Sequence, residues 1–182
     1  MTGRVFAVVG PSGAGKDTLI AGVCGDGGPH WVRRVVTRPA KPGGEPFEGV
    51  SEAEFRHRQA ADAFLLHWRA HGLAYGLPRS EFSPLAEGRD VLFNGSRAIL
   101  AQAATAFPGL RVIHVTAPPE VLAARLATRG RESAAQIAER LARAAPLAQG
   151  LPVITIENDS TPEAGIARLR AALQESETRC SR

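Results

Sequence analysis

Near the start of the chain five apolar residues, VFAVV, run directly into a glycine-rich turn, GPSGAGK, and no other stretch restricts the fold as much. A short unbroken apolar run at 5–9 reads as a strand buried on both faces, as in a parallel sheet. Residues 16–24 read as a helix. Strand, Gly10-x-x-x-x-Gly15-Lys16 and helix in that order form the phosphate-binding loop arrangement. Its glycines let successive backbone N–H groups face inward, and the helix N-terminus adds positive potential. Gly10, Pro11, Ser12, Gly13, Ala14, Gly15, Lys16, Asp17 and Thr18 are therefore the expected cradle for the phosphates of a nucleoside triphosphate, with Lys16 reaching the β- and γ-phosphates as a catalytic group.

One position departs from the usual pattern. The residue after the lysine is ordinarily Ser or Thr, whose hydroxyl ligates Mg²⁺. Here it is Asp17, with Thr18 behind it. A carboxylate is a competent hard-oxygen ligand, so Asp17 or Thr18 is expected to order Mg²⁺.

The chain has 182 residues, 44% apolar and 22% charged, which fits one soluble globular domain. Its net charge is +4, and only Lys16 and Lys41 among its 22 basic residues are lysines. The arginines are dispersed, clustering only near 125–143, and aromatic residues for base stacking are few. An anionic small substrate accounts for them at least as well as nucleic acid, so no nucleic-acid partner is expected. Cys24 and Cys180 form no metal or disulfide pattern. No apolar run approaches membrane-spanning length, so no membrane partner is expected and the cytoplasm is the default location. Oligomeric state is left open, a homodimer included.

Read in order, 31–36 is expected to be one short strand leading into Thr37-Arg38-Pro39. The segment 40–49, dense in Gly and Pro, is expected to be turn-rich and exposed. Ser51-x-x-Glu54 is a capping box opening a helix to about 60. Residues 64–68 and 73–75 read as two strands around a His71-Gly72 turn, and 80–87 as a helix. Further strands are expected at 90–93, 110–115 and 153–156, and helices at 97–107, 118–128, 133–145 and from Thr161-Pro162 onward. Strands alternating with helices around a phosphate loop predict an α/β, three-layer fold with a mostly parallel central sheet. The 35–80 region breaks that alternation and reads as an insertion.

Phosphoryl transfer asks a protein chiefly for positioning and charge neutralisation. Arg125, Arg129, Arg131, Arg140 and Arg143, carried on a helical lid, would supply that charge. Thr37-Arg38 and Tyr75 frame the insertion and could hold an acceptor phosphate. His67 and His71 are candidate acceptor contacts, whereas His30, His57 and His114 carry no functional reading.

GPSGAGKDTL, TRPAKPGGEPFEGVSEAEF, FLLHWRAHGLAYG, RLATRGRE and ENDSTPEA follow one another as in the guanylate kinase-like P-loop kinases, and the resemblance spans nearly the whole chain. It implies a P-loop kinase fold with its core at 1–34, 81–124 and 144–182, a small substrate-binding insertion at about 35–80 and a helical lid at about 125–143, and that Arg38 and Tyr75 contact an acceptor phosphate. It also implies catalytic or phosphate-binding roles for Arg129, Arg131, Arg140 and Arg143, and a place for Arg125 and Asn158 on the nucleotide side. Two departures stand out. Guanylate kinases carry a glutamate just before the tryptophan of this region, read here as His67, and an acidic D-x-D after the central strand, here Asn94-Gly95-Ser96. A site built to read guanine loses discrimination without those acceptors. The charge missing near Asn94 is then expected at Asp17.

Lys16-Asp17-Thr18, HWRAHGLAYG, VLFNGSRAIL and RGRESAAQIAERLARAA look most like the members that phosphorylate ribose 1,5-bisphosphate in phosphonate catabolism. The resemblance thus implies a phosphorylated sugar as substrate, with His67, Asn94 and Arg143 on the acceptor side. The alternatives are a guanylate or other nucleoside monophosphate kinase and, from another class, a catalytically silent guanylate-kinase-like interaction module.

Overall fold

β1 (Val5–Val9) is buried at all five positions because both of its faces are covered. The computed structural model describes residues 3–25, 27–39, 45–70, 72–128 and 150–178. Around β1 lies a five-stranded sheet in the order β2 (His30–Trp31), β7 (Val91–Asn94), β1, β8 (Arg111–Thr116), β9 (Val153–Glu157), with every neighbouring pair parallel. One face packs Phe6, Val8, Leu92, Ile113 and Val115 against Leu19 and Ile20 of α1 (Lys16–Val23) and Leu169 of the C-terminal helix (Pro162–Thr178). The other packs Val5, Ala7, Val9, Phe93 and Val112 against Leu100 and Ala103 of a helix over Leu100–Ala106. Alternation along β1 divides its side chains between the two faces, which produces the three layers.

The second sheet is smaller and mixed. Its order is β4 (Phe47–Gly49), β3 (Arg34–Val36), β6 (Leu73–Pro78), β5 (Phe64–Ala70). Leu66, Trp68 and Leu77 on one face join the core of the large sheet. On the other, Val35, Phe64 and Ala74 pack on Phe55 of α2 (Glu52–Ala60). The expected cap on α2 forms, with Ser51 Oγ accepting from the Glu54 N–H at 3.1 Å. The C-terminal helix starts at Pro162, where Thr161 Oγ1 accepts from the Ala164 N–H.

Several expectations need correction. The single strand over 31–36 is two strands in different sheets, with Val32 and Arg33 as the crossover. The stretch expected to be exposed around 40–49 contains β4, a buried Phe47 and a buried Glu45. The helix expected over 80–87 is a 3₁₀ helix over Arg79–Glu87, and Pro84 inside it disfavours an α-helix because its ring would clash with the carbonyl four residues back. The helix over 97–107 is split into a 3₁₀ turn at Arg97–Ile99 and the α-helix that follows. The helix expected over 133–145 and the turn residue His71 lie outside the described residues.

β1 ends on a position that only glycine fills. Gly10 has φ +147°, and a Cβ there would stand 1.9 Å from the carbonyl oxygen of Val115 on β8. The expected effect of Gly10→Ala is a loss of about 2–3 kcal/mol, or roughly 5–10 °C in Tm for a chain of this size, measured by thermal denaturation.

Candidate active site

The turn after β1 curls through Gly13 and Gly15, both at φ +86°, and delivers the chain into α1. Gly15 is the N-cap of that helix, and no side chain caps its first turn. The first-turn N–H groups and the positive helix end are thereby presented to an anion. Lys16 Nζ donates to the carbonyls of Gly10 and Pro11, 2.9 Å each, which folds the ammonium over the loop. Asp17 and Thr18 then leave α1 on different sides. Asp17 Oδ1 accepts from Asn94 Nδ2 at 2.5 Å, at the C-terminal end of β7. Thr18 instead lines a cavity of about 360 Å³ together with Gly13, Gly15, Arg125, Asn158 and Pro162. That volume suits a nucleoside.

Arg125, on the helix Pro119–Thr128, spans the cavity edge. Its Nη1 donates to the carbonyls of Asn158 at 2.9 Å and Gly13 at 3.4 Å. Asn158 is only 5% exposed, and its Nδ2 donates to the carbonyl of Ala14. Its amide therefore holds the phosphate loop from behind, and a Cβ on Gly15 would come within 2.5 Å of it. The loop shape thus depends on a residue 144 positions away.

Across the cleft, Tyr75 stacks on Trp68 with ring centroids 5.1 Å apart, and the guanidinium of Arg34 lies 5.2 Å from the Tyr75 ring centroid. Arg34 Nη1 also donates to the backbone carbonyl of Asn94 at 3.1 Å. Arg34, Tyr75, Asn94 and Asp17 form a continuous chain from the small sheet to the phosphate loop. Arg38 is exposed, with its guanidinium 4.6 Å from the Phe47 ring centroid.

His67 is half-buried on β5. A bulge between Phe64 and Leu66 resets the alternation of β5. Leu66 and Trp68 consequently share the core-facing side with Tyr75 and Leu77, and His67, opposite Gly76, belongs to the other side. Arg129, Arg131, Arg140 and Arg143 lie outside the described residues.

Three charged groups at the site escaped the sequence reading. Arg34 reads as an ordinary strand residue, and Glu45 sits in a Gly/Pro-rich stretch that signals exposure. Arg97 follows the Asn94-Gly95-Ser96 turn, where burial lowers the pKa of its guanidinium. No local signal separates any of them from a surface charge.

His114 on β8 completes this side. Its Nε2 is buried without a hydrogen-bond partner. Burial, then the charges of Arg97 and Lys16, hold the imidazole below its ordinary pKa. The unfolded chain therefore takes up a proton that the folded chain refuses, so stability is full above about pH 6.5 and falls as pH drops toward the folded value. Denaturant titrations in this acidic window are expected to show a slope that His114→Gln flattens. By contrast His30 is a packing residue, its Nε2 2.8 Å from Glu81.

Among the described residues no group of three or more His, Cys, Asp or Glu could hold a metal ion unaided. A single carboxylate completed by phosphate oxygens and water is a coordination that Mg²⁺ accepts. Asp17 fits that part.

A phosphate loop on a parallel sheet, facing a small mixed sheet, defines a kinase of the guanylate kinase-like P-loop fold. A guanylate kinase from Anaplasma phagocytophilum superposes with a TM-score of 0.68 over 96% of this chain and 86% of that one, at 18% identity. No family model matches the chain. The ribose 1,5-bisphosphate phosphokinase PhnN of Ruegeria sp. is 52% identical over 94% of this chain and 92% of its own length, and that of Agrobacterium fabrum 42% identical over 94% and 97%. This chain belongs to the ribose 1,5-bisphosphate phosphokinase family. It is also 53% identical to part of a bifunctional ribose 1,5-bisphosphokinase-thymidine phosphorylase of Cupriavidus necator, and spans 29% of that relative's length.

Proposed function

We propose that the chain transfers the γ-phosphoryl group of ATP to the 1-phosphate of ribose 1,5-bisphosphate, giving ADP and 5-phosphoribosyl 1-diphosphate, as a step of phosphonate degradation in the cytoplasm. The carrying observation is the phosphate loop, with Lys16 folded over it and an uncapped helix start, joined through Asp17 and Asn94 to Arg34 and Tyr75 of the small sheet. Membership of the family supports the same acceptor.

An oxygen of the 1-phosphate attacks the γ-phosphorus, the β–γ bridging bond breaks, and ADP leaves with the electron pair. That oxygen is already anionic near neutral pH, so no dedicated general base is required. Lys16 and the N–H groups at the start of α1 hold the β- and γ-phosphates in line. Thr18, Arg125 and the Asn158 loop border the nucleoside. Arg38 and Tyr75 hold acceptor phosphates. Arg129, Arg131 and Arg140 are assigned to neutralising the transferring group, and Arg143 to the acceptor. Asp17 or Thr18 would hold Mg²⁺, which would supply charge neutralisation on the phosphate oxygens when bound.

The test is an ATP-consumption assay with Mg²⁺, offering ribose 1,5-bisphosphate and guanosine monophosphate in parallel, with products identified by ³¹P NMR. The expected result is a ribosyl-linked diphosphate from the sugar alone. Turnover of guanosine monophosphate alone returns the chain to the nucleotide kinases. Turnover of neither favours a silent interaction module.

A further inference from the structure

Arg34 opens β3, and Glu45 lies just before β4, whose Phe47 pairs with Arg34 in a parallel register. The two side chains form an ion pair that is almost wholly buried, 11% exposed for Arg34 and 4% for Glu45. Arg34 spends Nη2 on Glu45 and Nη1 on the Asn94 carbonyl, with its guanidinium carbon 5.2 Å from the Tyr75 ring centroid. Two polar atoms of the pair are left over. Arg34 Nε has no acceptor and Glu45 Oε1 has no donor, and both are buried. Orphaned atoms of a buried charged pair are costly, and natural proteins leave very few.

These two atoms have a definite position. Asn94 ties Arg34 to Asp17, and Glu45 lies within electrostatic reach of Asp17 and Arg38. They also have a definite chemistry. A phosphate brings only acceptors, and Glu45 would repel it. A hydroxyl brings one donor and acceptor lone pairs on a single atom, which answers both orphans at once. Resting on the acceptor assigned above, the attacking 1-phosphate must lie beside Asp17, and the nearest hydroxyl of the sugar is then the one on C2.

We propose that the Arg34–Glu45 pair recognises the 2-hydroxyl of the acceptor sugar, Glu45 Oε1 accepting its proton and Arg34 Nε donating to its oxygen, and so selects ribosyl over 2-deoxyribosyl acceptors. A site that buries partners for a hydroxyl rejects the analogue lacking it, because the partners are then left unpaired.

The experiment compares kcat/KM for ribose 1,5-bisphosphate and 2-deoxyribose 1,5-bisphosphate in the wild type, Glu45→Ala and Glu45→Gln. The wild type is expected to prefer the ribosyl acceptor by at least about 10²-fold. In Glu45→Ala that ratio is expected to fall at least tenfold, the ribosyl reaction losing more than the deoxyribosyl one. A merely structural role would slow both acceptors together and leave the ratio unmoved. If thermal melting shows that Glu45→Ala is unfolded, Glu45→Gln carries the same test, with at least a threefold fall in the ratio. Equal use of both acceptors by the wild type, or an unchanged ratio in a folded variant, overturns the inference while leaving the proposed function standing. A wild type that turns over neither sugar overturns both.

Discussion

Lys16→Ala is expected to lower kcat for phosphoryl transfer by about 10³-fold while the protein stays folded. The ammonium is a point charge on a flexible stem, placed where the loop carbonyls of Gly10 and Pro11 already hold it, 2.9 Å from each. In the transition state its charge is needed on the phosphate oxygens, where a low-dielectric cradle makes it worth far more than in water. Its bonds to loop carbonyls are only part-buried, so Tm is expected to fall by less than in Gly10→Ala. Kinetics and a melting curve on the same preparation separate the two effects. A Tm loss as large as that of Gly10→Ala, or a kcat within tenfold of wild type, would show that the lysine acts mainly as a brace.

Asp17→Ser is the second large effect expected. Serine is the residue that ordinarily follows the lysine of a phosphate loop, so the change looks harmless on sequence grounds. The structure argues otherwise. Asn94, at the end of β7, is 5% exposed and donates to Asp17 at 2.5 Å, so the side chain across from Asp17 brings no charge. Glu45, the other carboxylate within electrostatic reach, is already paired with Arg34. Removing the Asp17 charge is expected to cost 10–100-fold in metal affinity or activity, seen as a lower kcat/KM and a higher Mg²⁺ concentration for half-maximal rate. Near-normal turnover at unchanged Mg²⁺ dependence would remove Asp17 from the metal site. Asp17→Asn, which keeps the shape, should resemble Asp17→Ser if charge is what matters.

The phosphate loop was legible before any coordinates because its determinants are adjacent in sequence. Val5–Val9, the two left-handed glycines and the uncapped start of α1 occupy one short stretch. The capping box at Ser51 and the β5–β6 pairing were readable for the same reason. The split of 31–36 was not, since Trp31-Val32 and Val35-Val36 carry one apolar pattern across a change of sheet. The face that His67 occupies was not readable either, because one bulged residue decides which face each later side chain of β5 takes, and F-L-L-H-W is compatible with either face.

Taken alone, the sequence determined the phosphate-binding chemistry, the α/β alternation and the resemblance that led to the acceptor, all of which rest on short-range patterns. Tertiary structure alone decided which charges meet. Asp17 and Asn94 are 77 residues apart, Arg34 and Asn94 are 60 apart, and Glu45 is buried in a segment composed like an exposed turn. Burial of a charge is decided by the partners that reach it from other elements, because only they offset its loss of water. No local pattern in the chain records where those partners will be.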